Sequence, residues 1–389
     1  MNIKEKDSQF IAHTYGRFAL AATKGKHASC TDENGKCYID FSSGIGVNSL
    51  GFCNDQWSEA ISAQAGILQH ISNLYYTRPM ADLAQALCGR TFAERVFFCN
   101  SGAEANEGMI KTARKYSSDH YGPGRHVIIA LENSFHGRTI ATLSATGQDV
   151  FHQHFGPFVE GFRFVRAGDI AGLQKAVAPG DVCGIMMELI QGEGGVVPLE
   201  KSFVREAAAL CAQKDILLMV DEVQTGIGRT GTFLCAEQFD ITPDLTSLAK
   251  GLGGGLPIGA VLFGKKCQDT LGPGDHATTF GGNPVCCAGG LAVLSQINDN
   301  LLASVKEKGD YITKKVLSMP HVKSIEGLGL MLGITLDGLD SKQIASACLE
   351  QGLIILTAKA KLRMLPPLTI TYEEIDEGLN HLNEVLQSI

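Results

Sequence analysis

Residues 95–116 read RVFFCNSGAEANEGMIKTARKY, a short apolar run that passes through a Ser-Gly turn into a helical stretch. Similar apolar runs recur further along the chain, with helical stretches between them: HVIIAL (126–131), VCGIMMELI (182–190), DILLMV (215–220) and LTSLA (245–249). Continuous runs of this kind are typical of strands that are buried on both faces of a sheet. The pattern therefore predicts an α/β fold with a largely parallel sheet and helices on both sides.

Polar residues follow three of these runs, at the strand ends outside which α/β proteins bind ligands. The first run leads to Ser101, whose hydroxyl and the free N–H groups of the next helix can hold a phosphate or simply cap the helix. The run at 215–220 ends in Asp221 and Glu222. A buried carboxylate is costly without a positive partner, so either a structural salt bridge or a bound cation is expected there.

The run at 245–249 is followed by Lys250 and a glycine cluster, in SLAKGLGGGLPIGA (247–260). The cluster is not a P-loop, because the lysine precedes the glycines, and Leu256 stands where G-x-G-x-x-G needs its last glycine. Burial lowers the pKa of a lysine toward the neutral, nucleophilic form. A phosphate cradle, a strand-end carboxylate and such a lysine together predict a pocket for pyridoxal 5'-phosphate (PLP).

At this point the chain resembles the class III, fold type I aminotransferases, from about Tyr15 to the final helix. The segments that carry the resemblance are FFCNSGAEANEGMIKTARKY (97–116), NSFHGRT (133–139), ELIQGEGGV (188–196), DEVQTGIGRTG (221–231), SLAKGLGGGLPIGA (247–260) and HATTFGGNPVCCA (276–288). The resemblance implies a PLP-dependent aminotransferase whose mostly parallel central sheet is flanked by helices. A smaller α+β domain is expected beside it.

The resemblance also implies a role for single residues. Lys250 and Asp221 are the expected catalytic residues, the lysine bonding the cofactor aldehyde and the aspartate pairing with the pyridinium nitrogen. The other expected cofactor contacts are the phosphate-binding Ser101, Gly102 and Ala103, the ring-stacking Phe135 and Val223, Gln224 near the ring hydroxyl, and Thr279 at the phosphate of a neighbouring subunit. The role of Thr279 implies a homodimer with shared active sites.

Four residues are expected to bind substrate. Arg138 resembles the family's carboxylate-binding arginine, whose fork makes two parallel hydrogen bonds. Glu193 and Arg363 resemble the pair that accommodates two different substrates, and Tyr15 is a further contact.

The terminal segments TYGRFAL (14–20), DFSSGIGVNSLG (40–51) and LRMLPPLTIT (362–371) narrow the expectation within the family. They resemble members that transfer the terminal amino group of N-acetylornithine to 2-oxoglutarate in arginine biosynthesis. Succinylornithine, N-succinyl-diaminopimelate, ornithine and 4-aminobutyrate are alternative amino donors. Outside the family, the alternatives are a nucleotide-binding protein that uses the Ser-Gly turn and a catalytically silent binding protein.

The composition of the chain argues against nucleic-acid binding, membrane insertion and metal binding. The 33 basic and 41 acidic residues give a net charge of -8 and form no basic run, which argues against a nucleic-acid partner. The N-terminus has no apolar signal segment, and no stretch reaches the roughly 18 apolar residues of a membrane span. The 12 cysteines are scattered without metal spacing, so we expect reduced thiols, no metal and a cytoplasmic location.

The pattern changes after residue 285, where helices alternate with short strands around GLIILT and LRML. A last helix opens at Thr371 with Glu374 three residues on, which is a capping box. We expect a large PLP-binding domain at 46–285, a small domain at 286–389, and an N-terminal segment at 1–45 that packs with the small domain. A hairpin is predicted around Gly35.

Several features are interpreted without a catalytic role. His136 is expected to pack or hydrogen-bond at the pocket edge, Cys99 to be a buried apolar residue, and the pair His152 and His154 to bind no metal. The chain departs from the family at LGFCNDQW (50–57), where Phe52 and Asn54 replace histidines, and at Met187-Glu188-Leu189, where Glu-Pro is usual.

Overall fold

The computed structural model describes residues 1–389. Seventeen strands form four sheets. In chain order the strands are β1 Ala22–Lys26, β2 Ser29–Asp32, β3 Cys37–Asp40, β4 Arg95–Cys99, β5 Val127–Leu131, β6 Phe162–Val165, β7 Val182–Met187, β8 Ile190–Gln191, β9 Val197–Pro198, β10 Leu217–Asp221, β11 Leu245–Leu248, β12 Gly259–Phe263, β13 Val322–Leu328, β14 Met331–Leu336, β15 Leu353–Ile354, β16 Leu356–Ala358 and β17 Lys361–Met364.

Twelve α-helices surround the sheets. They are α1 Ile3–Phe10, α2 Ser43–Gly46, α3 Asp55–Ala65, α4 Arg78–Arg90, α5 Gly102–Tyr121, α6 Ile140–Ser144, α7 Ile170–Val177, α8 Lys201–Lys214, α9 Pro284–Leu294, α10 Asp299–Val316, α11 Ser341–Gln351 and α12 Tyr372–Gln387. Short 3-10 turns span Asp149–Phe151, Cys235–Phe239 and Lys250–Leu252.

The central sheet has seven strands in the order β4-β12-β11-β10-β7-β5-β6. All five apolar runs identified in the sequence lie in this sheet, and its strands are parallel except for β12, which pairs antiparallel with both β11 and β4. The predicted mostly parallel α/β fold is confirmed. The sequence patterns did not predict β6 and β12.

The central strands are buried on both faces, as continuous apolar runs require. Along β10, Leu218 and Val220 join the apolar cluster that contains helix α8, while Leu217 and Met219 join the cluster that contains helix α5. Successive side chains of a strand point to opposite faces, so the two helices cover opposite faces of the sheet.

The N-terminal strands share a sheet with the C-terminal part of the chain. Strands β2 and β3 form the predicted hairpin around Gly35, and β3 pairs in parallel with β15, which places Ile39 beside Leu353. A second four-stranded sheet, in the order β13-β14-β17-β16, completes the C-terminal part. These pairings support the proposed grouping of residues 1–45 with the small domain, and the exact domain limits stay a prediction.

Helix α12 confirms the capping box, because the Thr371 hydroxyl accepts from the Glu374 N–H while the Glu374 carboxylate accepts from the Thr371 N–H. One apolar cluster of 67 buried residues includes side chains from the central sheet and from α12, so the two parts of the chain pack on a common core. None of the helices combines the length and the apolar character needed to cross a membrane.

Candidate active site

A cavity of about 480 Å³ opens at the carboxyl ends of the parallel strands. Its walls are residues that follow β4, β5, β7, β10 and β11, because parallel strands bring these ends to one edge of the sheet. Ten of the predicted site residues line it: Ser101, Gly102, Ala103, Phe135, Arg138, Glu193, Asp221, Val223, Gln224 and Lys250.

Lys250 follows β11 directly and projects into this cavity. Its backbone φ is +42°, in the left-handed region that non-glycine residues rarely adopt and that is often found at functional sites. Burial lowers the pKa of its ammonium, and the positive charge of Arg363 lowers it further, while the carboxylates of Glu193 and Asp221 oppose the shift. The amine is therefore closer to its neutral, nucleophilic form than that of an exposed lysine.

Asp221 ends β10 and accepts hydrogen bonds from four donors. Its Oδ2 accepts from Asn106 Nδ2 at 2.7 Å and from His136 Nδ1 at 2.8 Å. Its Oδ1 accepts from the Val223 N–H at 3.0 Å and from Ser247 Oγ at 3.3 Å. The four hydrogen bonds hold the carboxylate in one orientation.

Helix α5 begins at the floor of the cavity. Ser101 is its N-cap, and its hydroxyl accepts from the Glu104 N–H at 3.2 Å. Gly102 and Ala103 are the first two residues of the helix and line the cavity, and such N–H groups have no partner within a helix. This is the geometry at which a helix binds an anion.

Gly102 permits a close approach between the helix start and the loop after β10. A Cβ on Gly102 would lie 2.7 Å from Cγ1 of Val223, a distance that real contacts do not reach. The cavity therefore keeps its shape at this point only with glycine.

Phe135 and Arg138 form the entrance side of the cavity. The Phe135 ring meets Phe151 edge to face at 5.6 Å, and the Arg138 guanidinium lies 4.3 Å from the Phe151 ring centre. Arg138 is exposed and forms no salt bridge within the chain. Its donors are thus free for a substrate carboxylate.

Arg363 lies on β17 and is only 3% exposed. Its Nη1 donates to Glu193 Oε1 at 2.6 Å and to Gln224 Oε1 at 3.5 Å, so it contacts two residues of the cavity wall. Glu193 and Arg363, which the sequence analysis expected to act as a pair, therefore form a direct salt bridge. It joins the β8–β9 turn to the small C-terminal sheet.

Arg363 reaches the cavity only through Glu193 and Gln224, and two other predicted site residues lie away from it. Thr279 is exposed, next to Thr278, whose hydroxyl accepts from Asn100 Nδ2 at 3.0 Å. Tyr15 is 71% exposed and borders a separate groove against helix α11. The single chain does not bring Tyr15 to the other site residues.

Of the other residues that line the cavity, three form hydrogen bonds with predicted site residues. His136 is fully buried and bonded to Asp221 rather than placed at the pocket edge, Asn106 binds the same oxygen, and Glu188 is a fully buried carboxylate in the cavity wall. The sequence could have indicated Asn106, because a polar residue stands there among the apolar residues that form the buried face of helix α5.

Three other residues that the sequence analysis singled out lie outside the cavity wall. Burial raises the pKa of the Cys99 thiol to about 12, which agrees with the expected inert, buried residue. His152 Nε2 contacts the Leu143 carbonyl at 2.9 Å. Asn54, one of the family departures, caps helix α3 and lies outside the cavity wall.

The residues of the cavity suit PLP. A lysine with a lowered pKa can bond the aldehyde, an aspartate held in one orientation can pair with the pyridinium, and a free helix start can bind the phosphate. His136 Nε2 and Asn106 Oδ1 are buried without partners in the chain, so the region beside Asp221 still has polar groups to satisfy.

Comparison with known proteins agrees with this fit. The profile of the aminotransferase class-III family matches residues 10–386. An acetylornithine aminotransferase from Haemophilus ducreyi is 51% identical over 388 residues, which cover 100% of this chain and 99% of that protein.

Two solved structures are similar over nearly the whole chain. The N-acetylornithine aminotransferase from Stenotrophomonas maltophilia has a TM-score of 0.85 at 36% identity, covering 96% of this chain and 97% of that one. An ornithine aminotransferase from Toxoplasma gondii, described with partial occupancy of PLP at its active site, has a TM-score of 0.94 at 30% identity, covering 99% of this chain and 94% of that one.

The fold and the site together define a PLP-dependent transferase of fold type I. The chain belongs to the class III aminotransferase family, and it is a PLP-dependent aminotransferase. The family decides against the nucleotide-binding and catalytically silent alternatives, and it confirms the expected fold, enzyme class and cofactor.

Proposed function

We propose that this enzyme transfers the terminal amino group of N-acetylornithine to 2-oxoglutarate, giving N-acetylglutamate semialdehyde and glutamate. The observation that carries the proposal concerns two arginines: Arg138 lines the cavity and is free, and Arg363 is bonded to the wall residue Glu193, which neutralises it. One free cation suits a substrate with one carboxylate, and a second, releasable cation suits a substrate with two. The name of the relative at 51% identity supports the same substrate.

When bound, PLP supplies an aldehyde that carries the amino group and a ring that withdraws electrons from the bond that breaks. Asp221 would face the ring nitrogen, because four hydrogen bonds hold its carboxylate in one orientation. Ser101, Gly102 and Ala103 bind the phosphate at the start of α5. Phe135 and Val223 would contact the ring, and Gln224 would contact its hydroxyl.

Lys250 bonds the cofactor and moves the proton of the reaction. Its lowered pKa favours a neutral Nζ, which could take up a proton from the substrate carbon and give it back later in the transfer. The Lys250 amine forms no salt bridge in the chain, so its position is free to change during this transfer.

Arg138 and Arg363 select the substrates. N-acetylornithine places its carboxylate on Arg138 and leaves the Arg363–Glu193 pair closed. Glutamate and 2-oxoglutarate bring a second carboxylate, which replaces Glu193 on Arg363. The change moves one side chain and leaves the backbone in place. Tyr15 contacts the substrate only if the N-terminal segment moves toward the cavity.

We also propose a cytoplasmic homodimer with shared active sites. An exposed apolar surface, formed by segment 67–76 and Phe280, supports it: Leu74 and Tyr76 are almost fully exposed, and Asn73 Nδ2 ties the segment to the carbonyls of Thr278 and Gly281. Patches of this kind mark protein interfaces. Thr279 lies beside this surface, where it can reach the phosphate of a second copy.

The oligomer is tested by sedimentation velocity on the wild type and on Leu74→Asp. The wild type should sediment as a dimer, and the variant as a monomer with weakened PLP binding. Thr279→Ala should weaken PLP binding while the dimer persists. A wild type that sediments as a monomer with full activity contradicts the shared site.

The substrate is tested by initial rates for a panel of amino donors with 2-oxoglutarate. N-acetylornithine should give the highest kcat/KM, above succinylornithine, N-succinyl-diaminopimelate, ornithine and 4-aminobutyrate. A higher kcat/KM for any of the other four replaces the proposed donor and leaves the enzyme class unchanged.

A further inference from the structure

Glu188 follows strand β7 and lies in the cavity wall with only 6% of its surface exposed. It is not among the residues assigned to the cofactor or the substrates above. It forms no salt bridge, so its carboxylate is buried without a bonded cation. An ionisable group in such a place is costly and calls for a compensating interaction.

The compensating interactions are two backbone N–H groups. Glu188 Oε1 accepts from the Phe135 N–H at 2.8 Å, and Oε2 accepts from the Gly192 N–H at 3.1 Å. The two donors belong to different loops, one after β5 and the other after β8. One carboxylate therefore ties these two loops together.

Each loop carries a residue with a proposed role in the reaction. The first carries Phe135 itself, which contacts the ring. The second carries Glu193, immediately after Gly192. The Gly192 backbone also packs closely on Gln224, since a Cβ there would lie 2.5 Å from Gln224 Oε1. A shift of Gly192 thus reaches both contacts of Arg363, namely Glu193 and Gln224.

The charges near Glu188 are mixed. Its pKa is raised to about 7, chiefly because of burial. The carboxylate of Asp221 also acts to raise it, while His136 and the two N–H donors act to lower it. Protonation removes part of the acceptor capacity that the two N–H groups use. Both loops are held only while Oε1 and Oε2 of Glu188 each accept a hydrogen bond from a backbone N–H.

We propose that Glu188 is a positioning residue that fixes the ring-contacting Phe135 and the substrate-selecting Glu193 relative to each other through its two carboxylate oxygens. The part of this proposal that concerns Glu193 rests on the proposed function, in which Glu193 selects between substrates. The part that concerns Phe135 depends only on cofactor binding. Loss of the bridge should release both loops, even though no atom of Glu188 takes part in the reaction.

Glu188→Gln tests the bridge with little change in size. The glutamine oxygen can accept from one N–H only, and its own NH2 group then faces the other N–H, so one loop loses its anchor. Glu222→Gln is the matched control. Glu222 is equally buried and also has a pKa raised to about 7, but it accepts from the N–H groups of Cys235 and Ala236 at 2.8 Å.

Three quantities are measured on both variants, each loaded with PLP. Hydrogen exchange followed by mass spectrometry should show faster exchange in peptides spanning 133–138 or 190–196 for Glu188→Gln, and around 234–237 for Glu222→Gln. The Kd of PLP, determined by equilibrium dialysis, should rise about tenfold for Glu188→Gln, the loss typical of about one hydrogen bond. The ratio of the two half-reaction rates should change only for Glu188→Gln.

The outcomes separate this inference from the proposed function. Unchanged exchange at 133–138 and 190–196 together with an unchanged Kd overturns the bridge, whatever the substrate is. A wild type that does not use N-acetylornithine overturns the substrate assignment, while the exchange and the Kd still decide the bridge. If Glu188→Gln does not fold, Glu188→Asp is used, because it keeps the charge but is too short to reach both donors.

Discussion

Lys250 differs from an ordinary surface lysine in its backbone, its burial and its neighbours. Its φ of +42° and its lowered pKa arise from its place between the end of β11 and a glycine-rich turn. A lysine in an unfolded chain prefers a negative φ and the charged ammonium form. The surrounding sheet therefore supplies the free energy that keeps Lys250 in its unusual conformation and environment. At the residue scale, the function therefore depends on side chains whose environments the rest of the fold imposes.

Lys250→Ala should abolish turnover while some PLP stays bound without a covalent bond. Both the bond to the cofactor and the proton transfer need the same amine, so activity should fall below about one thousandth, a barrier increase of about 4 kcal/mol. Initial rates and cofactor absorbance measure this. Lys265→Ala, at an exposed position, is the control and should keep full activity. Residual activity above that limit means that another lysine bonds the cofactor.

Arg363→Ala should impair the half-reaction with glutamate more than the one with N-acetylornithine. Only glutamate needs the cation, and removing one member of a buried charge pair costs about 2–5 kcal/mol. The unpaired Glu193 should cause a smaller loss with N-acetylornithine. Stopped-flow measurement of each half-reaction provides the comparison, with Arg363→Lys as the charge-preserving control. Equal losses in both half-reactions contradict the substrate-selecting role.

At the scale of elements, the turn between β8 and β9 is held by the small C-terminal sheet. Gly333 on β14 lies beside Arg363 on β17 in the strand register. A Cβ on Gly333 would lie 2.8 Å from Cβ of Val196, which has a φ of +51°. The sheet that carries Arg363 therefore also sets the position of the turn that carries Glu193.

Gly333→Ala should push Val196 away and weaken the contact between Glu193 and Arg363. We expect a loss of about 1–3 kcal/mol in the free energy of unfolding, as for other overpacked sites. The ratio of half-reaction rates should shift in favour of glutamate, because Arg363 is less neutralised. Thermal unfolding and stopped-flow rates measure the two effects. Gly89→Ala is the control, since a Cβ there meets nothing within 4 Å. If Gly333→Ala lowers the free energy of unfolding but leaves the ratio of half-reaction rates unchanged, Gly333 serves packing only and does not influence the Glu193–Arg363 pair.

At the scale of the whole molecule, the edge of the central sheet collects charged groups at a cost in stability. Glu188 and Glu222 are both fully buried, and both have pKa values raised to about 7. Such groups bind a proton in the folded state at pH values where the unfolded chain has released it. The folded state is therefore penalised as the pH rises between about 4.5 and 7.

The pH dependence of stability can be assigned to one of these groups with Glu222→Gln. Because the folded pKa of Glu222 is raised above the ordinary value of 4.5, its contribution to stability falls as the pH rises toward 7 and is constant above it. The difference in free energy of unfolding between the variant and the wild type should therefore move in favour of the variant between pH 5 and 7.5, by on the order of 3 kcal/mol. Denaturant unfolding at saturating PLP measures it. A difference that does not change with pH contradicts the raised pKa.

The sequence by itself determined the fold class and most of the residues that the cavity brings together. Continuous apolar runs predicted strands β4, β5, β7, β10 and β11, since burial on both faces leaves no alternation. Ser101, Asp221 and Lys250 were found because each follows such a run, and parallel strands bring their ends to one edge. These signals are local, and so they can be read along the chain.

Only the tertiary structure decided which groups hold those residues in place. The bonds from Asn106 and His136 to Asp221 span 115 and 85 residues, and the bridge from Glu188 joins two loops that are remote in sequence. Strand β12 was missed because its apolar run follows the glycine cluster after β11, with no α-helix between the two strands. Tyr15 lies away from the cavity, at a groove between the N-terminal segment and α11. Such contacts depend on how elements pack, and no spacing or composition within one segment encodes them.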